Sequence, residues 1–330
     1  MSKRSPRILI NALSAVALGL LLVLLVPIWA GHRLLSEVRT RRRPGATTEI
    51  PRVHARDIVL DDVLRTKSPV IISGLVDELD LPLVPDLEGL RTLAAAHTEP
   101  FTVKSHRAHS PYFLYVGDYG AELASTDETT LAEFLDDMFD DAADRDPDTC
   151  TYRLFGVADL DHHVGRIIDS MAAGLSKLTD RRPEQKASGI WIGSTGVTTP
   201  LHHDAWTGLL FQMTGSKRVL MFAPEDRPNL YFTSPFAATD RWSTLPGRAD
   251  DADPDTHPRF ANAHRYEGRL DAGDVLFIPA FWSHEIEALE PNISIPFRFG
   301  TRPVDHLNPG FLRPAYEIVD RKLVAPRRTS

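Results

Sequence analysis

Apolar and polar positions fall into three regimes along this chain. From Ile8 to Ala30 the residues are uncharged and apolar, interrupted only by Asn11 and Ser14. A helix needs about 20 such residues to cross a bilayer, so one transmembrane helix is predicted over about 8–30. A cleaved signal peptide has a shorter apolar region, about 7–15 residues, and a small-residue cleavage site. Ile28-Trp29-Ala30 is a poor cleavage site, and Trp29 suits a headgroup boundary.

The second regime is mixed. Pro69-Val70-Ile71-Ile72-Ser73-Gly74 reads as a short buried strand closed by glycine. Apolar residues at three- and four-residue spacing predict helices over Leu87 to His97 and over Thr130 to Phe139. The second helix places Leu131, Phe134, Leu135 and Met138 on one face. From Gly189 onward the third regime begins, with short apolar runs between turns: Ile190–Ile192, Gly208–Met213, Arg218–Phe222, Val275–Ile278 and Ile293–Phe299. Such spacing predicts an all-β barrel or sandwich. Residues 1–45 thus form an anchor and a Pro-Gly linker, and 46–330 one domain. Within that domain 46–185 is an α/β N-terminal part, and 186–330 is a β-rich core with a C-terminal segment. A helix over Pro314 to Leu323 would offer a surface for a homodimer.

Charge refines this picture. Lys3, Arg4 and Arg7 precede the apolar span, whereas Arg33, Arg39, Arg41, Arg42 and Arg43 follow it. The positive-inside rule therefore places the bulk of the chain in the cytoplasm, as a single-pass membrane protein. A net charge of −8 speaks against nucleic acid as the main partner. Cys150 is the one cysteine, which excludes an intramolecular disulfide. The acidic run from Asp136 to Asp148 lacks the spaced oxygen ligands and glycine of a calcium loop, and reads as a solvated helix end.

The chemistry concentrates in Thr198-Thr199-Pro200-Leu201-His202-His203-Asp204. Along a strand, side chains at i and i+2 share a face, so His202 and Asp204 converge while His203 turns away. Two histidines and one carboxylate make a facial triad that leaves positions open on iron. The candidate third ligand is His284. It follows a Gly273-Asp274 turn, the buried run Val275–Ile278 and the strand-ending Pro279.

Thr199-Pro200-Leu201-His202-His203-Asp204, Gly215-Ser216-Lys217-Arg218 and Gly273 through His284 together resemble the cupin-like branch of the JmjC dioxygenases. The resemblance implies a double-stranded β-helix, or jelly roll. It implies Fe(II) as the metal, 2-oxoglutarate as the co-substrate, and hydroxylation of a protein side chain or small molecule. His202, Asp204 and His284 match the iron ligands and catalytic centre. Lys217 matches the lysine that pairs with the distal carboxylate of 2-oxoglutarate; Thr199 and Tyr152 match hydroxyls that reach the same carboxylate.

Three positions depart from the family pattern. Gly208 stands where an asparagine is usual, and Pro296 and Arg298 replace a polar and an aromatic residue. Alternation puts Arg298 on one face with Pro296 and Ser294. It is either a cation facing the cofactor or an acidic substrate, or an ion-pair partner of Glu285 or Glu287. Two other function classes stay open: a metal-binding cupin-like module without turnover, and a cupin metal enzyme that does not use 2-oxoglutarate.

Overall fold

The computed structural model describes residues 31, 45–96, 98–107, 123–140, 146, 148–156, 162–184, 188–233 and 241–300. No helix among them is long and apolar enough to cross a membrane. The predicted span over 8–30 and the predicted helix over 314–323 both lie outside the described residues.

Fourteen strands carry the described fold. The first seven are β1 (Thr47–Glu49), β2 (Arg52–His54), β3 (Val70–Ser73), β4 (Phe101–Arg107), β5 (Leu123–Thr129), β6 (Thr149–Gly156) and β7 (Gly189–Gly193). The rest are β8 (Thr198–His203), β9 (Thr207–Thr214), β10 (Lys217–Phe222), β11 (Arg265–Leu270), β12 (Val275–Ile278), β13 (Ser283–Ala288) and β14 (Asn292–Phe299). They form a five-stranded sheet in the order β1-β11-β10-β13-β8 and a nine-stranded sheet in the order β2-β3-β12-β9-β14-β7-β6-β4-β5. From β8 onward the chain passes back and forth between the two sheets, the winding of a jelly roll. Strands from the N-terminal part hydrogen-bond into both sheets, so 46–185 and 186–300 build one fold.

Burial explains the composition of the strands. The nine-stranded sheet is covered on both faces. Leu209, Phe211, Val275, Phe277 and Phe297 join a cluster with helical residues. Their neighbours Leu210 and Leu276 pack with Val219, Met221 and Trp282 between the sheets. A strand buried on both sides has no polar face, which is why Val275–Ile278 is a run and not an alternation.

The helices are α1 (Leu60–Val63), α2 (Leu87–Ala94), α3 (Leu131–Phe139) and α4 (His162–Leu178). In α3, Thr130 and Glu133 form a reciprocal capping box that satisfies otherwise orphaned N–H groups. Leu131, Phe134, Leu135 and Met138 are all buried, one stripe of the helix. On the outer face Asp140 pairs with Arg91 of α2, so the described part of the acidic run is a solvated helix end. Gly215 turns the chain between β9 and β10 at φ 70°, where a Cβ would lie 2.1 Å from the Pro291 carbonyl oxygen. Only glycine fits that turn.

Candidate metal centre

Strands β8 and β13 are antiparallel neighbours, and their register sets His284 directly opposite His202. The two rings lie 4.2 Å apart, centroid to centroid. Asp204 follows the end of β8, and its carbonyl accepts a 2.8 Å hydrogen bond from the Phe281 amide. Phe281 has φ 65°, a left-handed conformation that a bulky side chain rarely adopts, so the turn before β13 carries local strain. That bond ties the approach to His284 to the residue that supplies the carboxylate. One potential ligand atom from each of His202, Asp204 and His284 lies within 4.8 Å of the others.

The donor set fits a divalent metal. His202 Nδ1 is 2.9 Å from the Pro200 carbonyl oxygen, and His284 Nδ1 is 3.0 Å from that of Trp282. A carbonyl can only accept, so each Nδ1 carries the proton and donates. Each Nε2 then keeps its lone pair for a metal. Burial, helped by the neighbouring His284, pushes the His202 pKa down to about 3. Burial likewise lowers that of His284. Both rings are therefore neutral ligands at physiological pH. Burial alone would raise the Asp204 pKa, but the guanidiniums of Arg298 and Arg241 outweigh it and hold the carboxyl ionised. His203 turns away as alternation requires, packing edge-on to Phe232 at 5.1 Å.

A cavity with about 560 Å³ of empty space, counting its solvent-open mouth, adjoins the triad. Thr199, Lys217, Gly208, Pro296 and Arg298 line it together with His202, Asp204 and His284. Lys217 opens β10 and is 6% exposed, with Nζ donating to Ser294 Oγ at 2.7 Å. Burial pushes its pKa down to about 7, and no carboxylate among the described residues offsets that. Such an ammonium calls for an anion. Tyr152 is not among the residues lining the cavity; its ring packs edge-on at 6.3 Å against Trp191, which does line it.

Arg298 points into the cavity, and its partner is neither glutamate. Its Nη2 lies 3.3 Å from Asp204 Oδ2. Glu285 instead accepts from the Ala249 amide, and Glu287 faces Arg218 and Arg248. The reason is parity: His284 and Ile286 of β13 line the cavity, so Glu285 between them and Glu287 after them project from the opposite face. Several site residues carried no signal in the sequence. Trp242 stacks on the His202 ring at 4.5 Å, and Arg241 Nη1 lies 3.5 Å from Asp204 Oδ1. Both arrive from outside the regular strands through a single bridge between Trp242 and His202. Trp206 also lines the cavity, from the turn between β8 and β9, where strand alternation does not apply.

Comparison with known proteins agrees with this geometry. A family model described as a cupin-like domain matches residues 55–303. The tRNA wybutosine-synthesizing protein 5 of Danio rerio is 40% identical over 114 residues, 34% of this chain and 33% of that protein. The Gallus gallus protein of the same name is 27% identical over 266 residues, 73% of each chain. Jumonji C domain-containing protein 5 of Drosophila melanogaster is 37% identical over 108 residues, 32% of this chain and 26% of that protein. The chain thus covers a third or less of the length of the Danio and Drosophila proteins. With the family model spanning well over half the chain, a jelly roll beneath it and a His-Asp-His cluster at one end of the barrel, this chain belongs to the cupin-like family allied to the JmjC oxygenases.

Proposed function

We propose that this protein is an Fe(II)- and 2-oxoglutarate-dependent oxygenase that hydroxylates a protein side chain or small molecule. The observation that carries the reading is one cavity holding both a triad of metal-competent ligands and a buried lysine that calls for an anion. The relatives' names, a wybutosine-synthesizing protein and a Jumonji C protein, are in keeping with an enzyme. His202, Asp204 and His284 would hold the iron, which supplies the oxygen chemistry and leaves positions open for co-substrate. Lys217 neutralises the distal carboxylate of 2-oxoglutarate through a charge-assisted bond, with the Thr199 hydroxyl beside it. The apolar wall of Leu210, Ile278 and Ile286 keeps water from the reacting centre. The balance is one substrate C–H, O₂ and 2-oxoglutarate converted to a C–OH, succinate and CO₂.

Anaerobic reconstitution of the full chain with Fe(II), followed by exposure to air with 2-oxoglutarate, tests this. Succinate should form only with iron present. Metal binding without succinate would leave a binding module, and turnover of another kind without 2-oxoglutarate would leave a different cupin enzyme.

We also propose that the apolar run over 8–30 anchors the enzyme as a single-pass protein with its catalytic part in the cytoplasm. The described fold begins beyond that run: the Ala46 carbonyl accepts from Arg265 N at 2.8 Å, and Gly45 packs against the Ala261 backbone. Deleting residues 1–44 should therefore move the protein from the membrane fraction to the soluble fraction with its metal affinity unchanged. A truncated protein that stays with membranes would place the attachment elsewhere.

A further inference from the structure

Lys217 reaches the cavity from one sheet and is held by the other. It opens β10 of the five-stranded sheet, and its Nζ donates across the barrel to Ser294 Oγ on β14 of the nine-stranded sheet, 2.7 Å away. Ser294 is fully buried, with Trp191 of β7 and Gln212 of β9 as its register partners. At this point the pairing of β14 with β9 slips by one residue, a bulge of the kind that re-aims a side chain. Lys217 is among the residues lining the cavity and Ser294 is not.

An ammonium carries three N–H groups and no acceptor. Ser294 Oγ is the one hydrogen-bond partner of Nζ among the described residues, which leaves two N–H groups for an incoming anion. The strands beside Lys217 bring it no charge: its register partners are Leu270 of β11 and Ala288 of β13. Asp204, His202, His284 and Arg298 line the same cavity, yet burial is the cause of the lowered Lys217 pKa. A hydrogen bond to the charged form favours that form. Before any co-substrate arrives, the Ser294 hydroxyl is what works against the burial. It also tethers the end of a flexible four-carbon stem.

We infer that Ser294 is a positioning residue for Lys217: its hydroxyl keeps the side chain protonated and fixed in place, so that an anion entering the cavity meets a preset ammonium. This inference deepens the oxygenase reading and rests on it for the identity of that anion, 2-oxoglutarate.

Two measurements on the full chain test it, and the first needs no ligand. Unfolding free energy is followed across pH for wild type and Ser294→Ala, each minus the same curve in a Lys217→Met background. Glu285 and Asp226 also titrate near neutrality, and they cancel in that difference. The wild-type difference should begin to rise with pH at about 7. In Ser294→Ala the rise should begin about one pH unit or more lower, because the ammonium has lost its acceptor. Ser294→Cys keeps the volume but offers only a weak acceptor, so it should follow Ser294→Ala.

The second measurement is 2-oxoglutarate affinity of the Mn(II)-loaded protein. At about pH 7.5 Ser294→Ala should bind about tenfold more weakly, the factor by which one pH unit depletes the ammonium. The gap should narrow as pH falls, with Mn(II) affinity unchanged. An onset that does not move in Ser294→Ala, a Ser294→Cys protein that matches wild type, or a moved onset with unchanged 2-oxoglutarate affinity overturns the inference. A moved onset in a chain whose wild type binds no 2-oxoglutarate sinks the co-substrate reading instead, and leaves Ser294 as the residue that holds Lys217.

Discussion

His202→Ala is expected to lower metal affinity by more than about 100-fold, beyond the about 10–100-fold that follows loss of a group merely orienting a ligand. The ring supplies one of three converging ligand atoms, and its Nδ1 bond to the Pro200 carbonyl fixes which nitrogen is offered. The fold should survive, because β8 is held to β13 by backbone hydrogen bonds that the side chain does not enter. Metal content after anaerobic dialysis, measured beside thermal unfolding, checks both halves. Full metal affinity in a folded His202→Ala protein would remove His202 from the ligand set. Asp204→Ala is a less clean experiment. It leaves Arg298 and Arg241 facing each other, so stability falls as well. The loss should lie between the about 0–1 kcal/mol of an exposed pair and the about 3–5 kcal/mol of a broken buried one.

Lys217→Met should raise the 2-oxoglutarate requirement about tenfold or more, since the lost charge-assisted bond is worth roughly 1.5–3 kcal/mol. The same change should not harm the fold. Lys217 is buried, and an apolar side chain of similar length avoids the desolvation of an ammonium. A pH signature separates this from general damage. The folded-state pKa is about 7, below the ordinary 10.5, so between those values the unfolded chain binds more protons than the folded one. Stability of the co-substrate-free wild type should therefore rise with pH from about 7 toward 10.5, the penalty being fully present below 7. Lys217→Met should lack that rise. Titrating 2-oxoglutarate against each protein, with unfolding curves across that pH range, supplies the comparison. An unchanged requirement in a folded variant would move the carboxylate partner elsewhere, with Arg298 the next cation in the cavity.

The amino-acid sequence by itself determined the local elements and the pair of ligands nearest in the chain. Helix α3 was legible because Leu131, Phe134, Leu135 and Met138 repeat at the helical period and Thr130 caps them. Strand β12 was legible as a run because both its faces are buried. His202 and Asp204 could be paired, and His203 set apart, because alternation along a strand is a property of the backbone alone. Lys217, Thr199 and Arg298 were named as pocket residues from motif and parity, and the cavity contains all three.

Only the tertiary structure decided what depends on register between distant strands. That His284 sits opposite His202 follows from the β8–β13 alignment, which no local pattern encodes. Tyr152 packs against Trp191 because β6 lies next to β7. Arg298 reaches Asp204 because β14 lies beside β9, with Gly208 rather than a bulky residue opposite it. Arg241 and Trp242 enter from an irregular segment with no period to announce them. Alternation along a strand is fixed by covalent geometry, whereas the side chains that meet across sheets are chosen by burial summed over the whole core.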